Sequence, residues 1–168
     1  MKEYNQKEII KYFGTSKELI AELENKVEYV NGIDFIDNKK KTDALLSVKI
    51  KKYTNGLVIE VSEDSTPYFY GVDLDKIKYW TIKNNEQIIR ELRKSIIIKA
   101  LLGKLLLGTL GVFWGTIYGT KKTEILKLLD NLLIICIKEK KKKRKICFSI
   151  KDKNCEEVGI FFKKYFAN

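Results

Sequence analysis

Hydrophobic positions at the start of the chain recur every three or four residues, which predicts two short helices. The first, over 3–13, ends before Gly14. The second, over 16–26, places Leu19 and Leu23 on one face. Together they predict an N-terminal helical segment.

Beyond residue 26 the apolar positions alternate, which is typical of antiparallel strands with one buried face. Asn55-Gly56 supplies the tight turn of the clearest hairpin, whose strands start near Leu46 and return from Leu57. Further strands are predicted at 27–35, 68–72, 77–82, 132–138 and 145–150.

The last two predicted strands flank the loop EKKKKR. In a symmetric hairpin Ile135 faces Phe148, and on the reverse face Cys136 lies opposite Cys147. A capping box that begins at Asn154 then opens a C-terminal helix with an apolar stripe. The sheet and this helix are expected to pack together.

A segment rich in glycine and apolar residues, KSIIIKALLGKLLLGTLGVFWGTIYGTKK, lies within a predicted insertion at about 86–122. On a helix its glycines form a ridge that admits a second helix: Gly108, Gly111, Gly115 and Gly119. The opposite side is interpreted as membrane-facing and contains Leu106, Leu110, Phe113, Trp114 and Ile117. The length of the segment favours a helical hairpin over a single bilayer span. A lipid bilayer, a soluble core and an oligomer interface remain three alternatives for its surroundings.

The order of elements predicts an α+β fold. A strongly bent antiparallel sheet is closed by the C-terminal helix, and two N-terminal helices and the apolar helical hairpin are added to it. The predicted organisation is a helical segment over 1–26 and a main domain over 27–168, which the insertion interrupts.

Three stretches resemble the bacterial pleckstrin-homology-like (GRAM-like) domain family, in the subset with a glycine-rich insertion. They are YFYGVDLDKIKYWTI, the apolar insertion, and LLIICIKEKKKKRKICFSIKDKNCEEVGIFFKKYF, and the resemblance covers roughly residues 44–166. It implies a strongly curved sheet closed by one helix and association with membranes or partner proteins. It implies no enzyme activity and no catalytic residue.

Charge is distributed unevenly along the chain. Residues 1–80 carry 13 Lys/Arg against 14 Asp/Glu, whereas residues 81–168 carry 20 against 8, so the net charge of +11 lies in the second half. A basic surface attracts the phosphates of anionic lipid or nucleic acid. The candidate residues for contact with an anionic surface are Lys94, Lys99, Lys104, Lys121, Lys122, Lys140, Lys141, Lys142, Lys143 and Arg144.

The residue types also limit the chemistry. The chain has no histidine, which excludes histidine triads and histidine metal ligands. Asp73 and Asp75 alternate, but no third ligand lies nearby, so no metal, cofactor or catalytic residue is predicted. Three cysteines form no disulfide framework, and the N-terminus is unlike a signal peptide, which favours the cytoplasmic side of a membrane.

These observations predict a non-enzymatic, membrane-associated adaptor or regulatory protein. The apolar insertion and the basic surface attach it to lipid, and the core binds an unidentified protein partner. One alternative is a soluble basic module that acts on nucleic acid or on a nucleic-acid enzyme. Another is a homo-oligomer that forms through the glycine ridge.

Overall fold

The computed structural model describes residues 3–39, 46–63, 66–84, 86–87, 131–139 and 142–166. Its strands are β1 (Glu3–Tyr4), β2 (Leu19–Asn31), β3 (Leu46–Tyr53), β4 (Gly56–Glu63), β5 (Thr66–Asp73), β6 (Ile77–Asn84), β7 (Asn131–Glu139) and β8 (Lys142–Ile150). Its α-helices are α1 (Gln6–Phe13), α2 (Asp34–Lys39) and α3 (Asp152–Phe166), with 3-10 turns at Ser16–Glu18 and Leu74–Lys76.

All eight strands belong to one antiparallel sheet, in the order β1-β5-β4-β3-β2-β8-β7-β6. Strands β2–β5 form a first meander and strands β6–β8 form a second. The two are joined because β2 pairs with both β3 and β8. Apolar side chains from both meanders and from α3 contribute to a single buried cluster. The hairpin around Asn55-Gly56 and the C-terminal helix are confirmed, but the helix begins at Asp152, so the predicted capping box at Asn154 is wrong.

The second predicted N-terminal helix is wrong, because its residues begin the 13-residue strand β2. Leu23 and Val27 are four residues apart, a spacing that places them on one face of a helix and equally on one face of a strand. Leu19 precedes a register shift and packs against a separate cluster. A helix would place Ile20 on the same apolar face as Leu23 and Val27, but in the structure its side chain is 49% exposed. The periodicity therefore did not distinguish the two structures.

Cross-strand partners decide in favour of the strand. Glu24 pairs with Lys49 of β3 at 2.6 Å, and Glu22 lies 3.9 Å from Lys51. These exposed pairs contribute little each, but the strand also buries Leu23 and Val27 in the shared core. Tertiary burial thus overrides the helix propensity of the alanine, glutamate and leucine residues in this stretch.

The predicted fold class is corrected accordingly. The described residues form mainly an eight-stranded antiparallel sheet with one C-terminal helix, and the shorter helices α1 and α2 are added to it. Two N-terminal helices do not precede the sheet, because β2 takes the place of the second. The predicted helical hairpin at about 86–122 lies, beyond residues 86–87, outside the described residues. The predicted boundary between residues 26 and 27 falls within β2.

The turn after β2 is fixed by a buried tyrosine. The Tyr29 hydroxyl accepts a hydrogen bond from the Ile33 amide at 2.7 Å and donates one to the Asp37 carboxylate at 2.8 Å. The other Asp37 oxygen accepts from the Gly32 amide at 3.1 Å. Burial and the Asp37 charge raise the pKa of Tyr29, so the hydroxyl keeps its proton at any physiological pH.

Gly32 is required in this turn for two reasons. Its φ of 110° lies in a region that disfavours other residues, and a Cβ would meet the Lys145 carbonyl and stand 2.8 Å from Ile146 Cα. The close approach brings the turn against β8. Backbone atoms of β8 cannot move aside without breaking its pairing with β7.

Helix α3 packs against the core through its apolar side. Val158, Phe161, Phe162 and Phe166 are buried, and the Trp80 indole N–H of β6 donates to the Phe166 carbonyl at 3.0 Å. At the other end, the Asp152 carboxylate accepts a hydrogen bond from the side-chain amide of Asn131 at 2.7 Å. The helix is therefore held to the second meander at both termini.

We expect Gly32→Ala to lower the free energy of unfolding by at least about 2 kcal/mol, because it adds both backbone strain and a clash. Gly159→Ala on α3 is the matched control, since its Cβ would lie 3.9 Å from the nearest atom, Ile82 Cδ1. That change should shift stability by no more than about 1 kcal/mol, toward greater stability. Urea unfolding measures both, and equal effects would contradict the close approach to β8.

Candidate functional site

The β7–β8 hairpin, which contains the predicted basic loop, has a register two residues away from the predicted one. Ile135 faces Ile146, Leu133 faces Phe148, and Cys147 lies opposite Ile134. The predicted pairs Ile135–Phe148 and Cys136–Cys147 are therefore wrong. The pairing extends to Glu139 and Lys142, so only two residues of the sequence separate the paired ends of the strands. Since the shift is even, the same side chains still face the core.

Both faces of the hairpin are buried over most of its length. Every residue of β7 from Asn131 to Ile137 is buried, and so is every residue of β8 from Ile146 to Ile150. The hairpin reaches solvent only toward its turn. Four exposed lysines stand there, named here the basic tip: Lys138, Lys142, Lys143 and Lys145. None of the four pairs with a carboxylate among the residues that the structure describes.

The carboxylate at the end of β7 is engaged elsewhere. Glu139 Oε1 accepts a hydrogen bond from the Tyr70 hydroxyl at 3.0 Å, and Glu139 Oε2 lies 3.4 Å from Arg144 Nε. Burial and the Glu139 charge raise the pKa of Tyr70, so Tyr70 remains a donor. The Glu139 carboxylate is therefore shared between Tyr70 and Arg144.

Arg144 is held in place by two carboxylates. Its Nη1 donates to Asp34 at 2.6 Å, and these contacts raise the pKa of the guanidinium. Arg144 is one of the residues predicted to contact an anionic surface. The structure places it instead between α2 and the end of β7, where its charge is already compensated.

The Tyr70–Glu139 contact brings together strands that are not neighbours in the sheet, since β5 and β7 are separated by β4, β3, β2 and β8. A small cavity of about 100 Å³ lies beside it, between Tyr4 and Tyr70 on one side and Ile137 and Glu139 on the other. The sheet therefore doubles back so that its two meanders meet. The basic tip projects from this meeting point.

The other predicted site residues fall into two groups, those that the structure describes and those that it does not. Lys142 and Lys143 are exposed on the basic tip. Those that lie outside the described residues are Lys94, Lys99, Lys104, Lys121, Lys122, Lys140, Lys141, the ridge Gly108, Gly111, Gly115 and Gly119, and the side with Leu106, Leu110, Phe113, Trp114 and Ile117. Among the described helices, none is long and apolar enough to cross a membrane.

The aspartates that the sequence places close together lie at the end of β5. Within the described residues no group of three Cys, Asp or Glu side chains is arranged to hold a metal ion. Asp73 ends β5 and forms an ion pair with Lys76, while Asp75 lies in the following 3-10 turn. The two aspartates are therefore not the paired carboxylates of a metal site on one strand face.

The three cysteines are free thiols with different surroundings. Cys136 and Cys147 are each 1% exposed, whereas Cys155 on α3 is partly exposed. Burial raises the pKa of the Cys147 thiol to about 12, which keeps it protonated near neutral pH.

A groove that was not predicted from the sequence lies between β6 and α3. Trp80 and Ile82 line it from the strand, and Gly159, Ile160 and Lys163 line it from the helix. Its volume is about 740 Å³, and Ile160 at its rim is 58% exposed. The adjacent apolar positions of β6 and α3 were visible in the sequence, but nothing there indicated that the two elements are neighbours.

Comparison with protein-family models, curated proteins and solved structures found no match to this chain. The described residues thus define an antiparallel sheet with a C-terminal helix, a basic tip and an apolar groove.

We expect the thiols to react in order of exposure. At pH 8 in native protein, iodoacetamide should modify Cys155 first, because the thiolate is the reactive form and Cys147 forms almost none. Peptide mass spectrometry measures the modified fraction at each site, with urea-unfolded protein as the control in which all three react. Fast native modification of Cys136 or Cys147 would contradict the burial of the hairpin.

Proposed function

We propose that the protein is a non-enzymatic adaptor or regulator that attaches to the anionic surface of a membrane and presents its folded core to a protein partner. The observation that carries the proposal is the basic tip, where four lysines are exposed and the neighbouring acid, Glu139, is turned toward Tyr70 and Arg144. The sequence resemblance to the pleckstrin-homology-like family, which implies association with membranes or partner proteins, is part of this proposal.

The energetics of the tip suit a lipid surface. Each basic residue near an anionic membrane contributes about 1 kcal/mol, and the contribution decays within a Debye length of roughly 8–10 Å. The four lysines stand at the solvent end of one hairpin whose other residues are mostly buried, and Lys138, Lys143 and Lys145 share one of its faces. The apolar segment within the insertion supplies a second attachment in this proposal, and it lies outside the described residues.

Anionic vesicles test the proposal. Changing Lys138, Lys142, Lys143 and Lys145 to Gln should weaken binding to vesicles that contain phosphatidylserine by about 100-fold or more. The matched control changes four exposed lysines elsewhere, Lys7, Lys11, Lys17 and Lys153, to Gln and therefore alters net charge by the same amount. Vesicle sedimentation at 0.1 M salt measures both, and thermal unfolding checks that both variants fold.

Equal loss of vesicle binding in the two variants would show that net charge, and not the basic tip, is responsible. If the parent protein does not bind vesicles but binds duplex DNA or RNA with a steep salt dependence, the result would favour the nucleic-acid alternative.

A further inference from the structure

The lysines of the basic tip are divided between the two faces of the β7–β8 hairpin. Lys138 lies directly opposite Lys143 across the two strands, and Lys145 lies two residues beyond Lys143, so these three side chains share one face. Lys142 lies opposite Glu139 on the other face. The face with Lys138, Lys143 and Lys145 is named here the three-lysine face.

The acidic and basic groups near the turn separate by face. Glu139, the one acidic residue of the two strands, lies with Arg144 on the face opposite the three lysines. The three-lysine face otherwise carries uncharged residues: Leu132, Ile134, Cys136, Cys147 and Ser149. Asp37 of α2 uses both of its carboxylate oxygens in the turn after β2. No carboxylate that the structure describes pairs with the three-lysine face.

The spacing of these lysines allows them to bind one small anion together. Residues directly opposite each other on antiparallel strands have Cβ atoms about 5 Å apart, and diagonal neighbours are separated by roughly 7–8 Å. Lys143 is therefore adjacent to both Lys138 and Lys145, and the flexible side chains of all three can reach a common point. Like charges placed directly opposite each other repel. An anion between them replaces that repulsion with charge-assisted hydrogen bonds.

The number of lysines indicates the class of anion. A phosphomonoester carries a charge of about −1.5 to −2 near pH 7 and has three strong acceptor oxygens, which matches three ammonium groups. A phosphodiester headgroup carries a single charge and only two unesterified oxygens. The headgroup of phosphatidylserine also carries an ammonium group, which a cluster of lysines repels. The three-lysine face is therefore better matched to a phosphomonoester.

We propose that the three-lysine face binds the phosphomonoester headgroup of a membrane lipid, such as that of phosphatidic acid, in preference to phosphodiester headgroups at the same surface potential. This inference rests on the proposed function, because it names the headgroup that the basic tip recognises. Attraction to any anionic membrane requires only charge. Preference for one headgroup requires the grouping of Lys138, Lys143 and Lys145 on one face.

Two kinds of vesicle test the inference on the full chain, one with phosphatidic acid and one with phosphatidylglycerol, matched in surface potential. We expect the parent protein to bind the phosphatidic acid vesicles about 10-fold more tightly, as measured by sedimentation. Lys143→Gln should remove this preference. Lys142→Gln is the matched control, because it removes the same charge from the next residue on the other face. It should weaken binding to both kinds of vesicle equally and keep the preference.

Each of the other outcomes contradicts the inference in a distinct way. Equal binding of the parent protein to both kinds of vesicle would overturn the headgroup assignment but leave the proposed function intact, whereas binding to neither would overturn both. Equal loss of the preference in Lys142→Gln and Lys143→Gln would show that the charge of the whole hairpin, and not one face, selects the lipid.

Glycerol 3-phosphate, a soluble phosphomonoester, separates a lipid headgroup from a free phosphate as the ligand. We expect it to release the protein from phosphatidic acid vesicles only when it is in large molar excess over the lipid. Release at a concentration equal to that of the accessible phosphatidic acid would identify a free phosphomonoester as the ligand and overturn the assignment to a membrane lipid.

Discussion

Strand β2 is the constraint on which the rest of the structure depends, because it pairs along both of its edges. Its first part pairs with β3, and its last residues pair with β8 as well. The ladder with β3 shifts register between Glu24 and Glu28, where Asn25 adopts a φ of 54°. Such an irregularity bends and twists a strand. One bent strand thus joins both meanders to a single core.

The features of the site follow from that arrangement. When the two meanders share one core, the end of β7 meets β5, and Glu139 reaches Tyr70. The Glu139 carboxylate thereby contacts Tyr70 and Arg144. Arg144 also donates a hydrogen bond to Asp34. What remains exposed at the turn is positive charge. At the opposite edge, α3 covers the core but leaves a groove along β6.

Sequence patterns predicted those parts of the fold in which local and tertiary preferences agree. The β3–β4 hairpin was predicted from Asn55-Gly56 and is present, although neither residue has the positive φ that the expected turn requires. The apolar stripe from Val158 to Tyr165 identified α3. The patterns failed at β2, where a spacing of four residues satisfies helix and strand alike. They also failed at the β7–β8 register, because apolar residues recur at every second position of both strands and a shift of two residues keeps every apolar side chain on its face.

In the candidate site, Lys142 and Lys143 were predicted as exposed basic residues, whereas Lys138, Lys145 and the distinct surroundings of Arg144 were not. Arg144 and the lysines are adjacent and alike in sequence, and only the fold brings Asp34 to one of them. The groove was beyond prediction for the same reason, since Ile82 and Gly159 are distant in the chain. The Tyr70–Glu139 contact joins residues that no local pattern relates.

A double-mutant cycle on Tyr70 and Glu139 tests the meeting of the two meanders most directly. Unfolding free energies of the parent, Tyr70→Phe, Glu139→Ala and the double variant give the coupling between the two side chains. A hydrogen bond from a buried hydroxyl to a carboxylate predicts a coupling of about 1–3 kcal/mol. Strictly additive effects would contradict the contact, and with it the account of why the basic tip is left uncompensated.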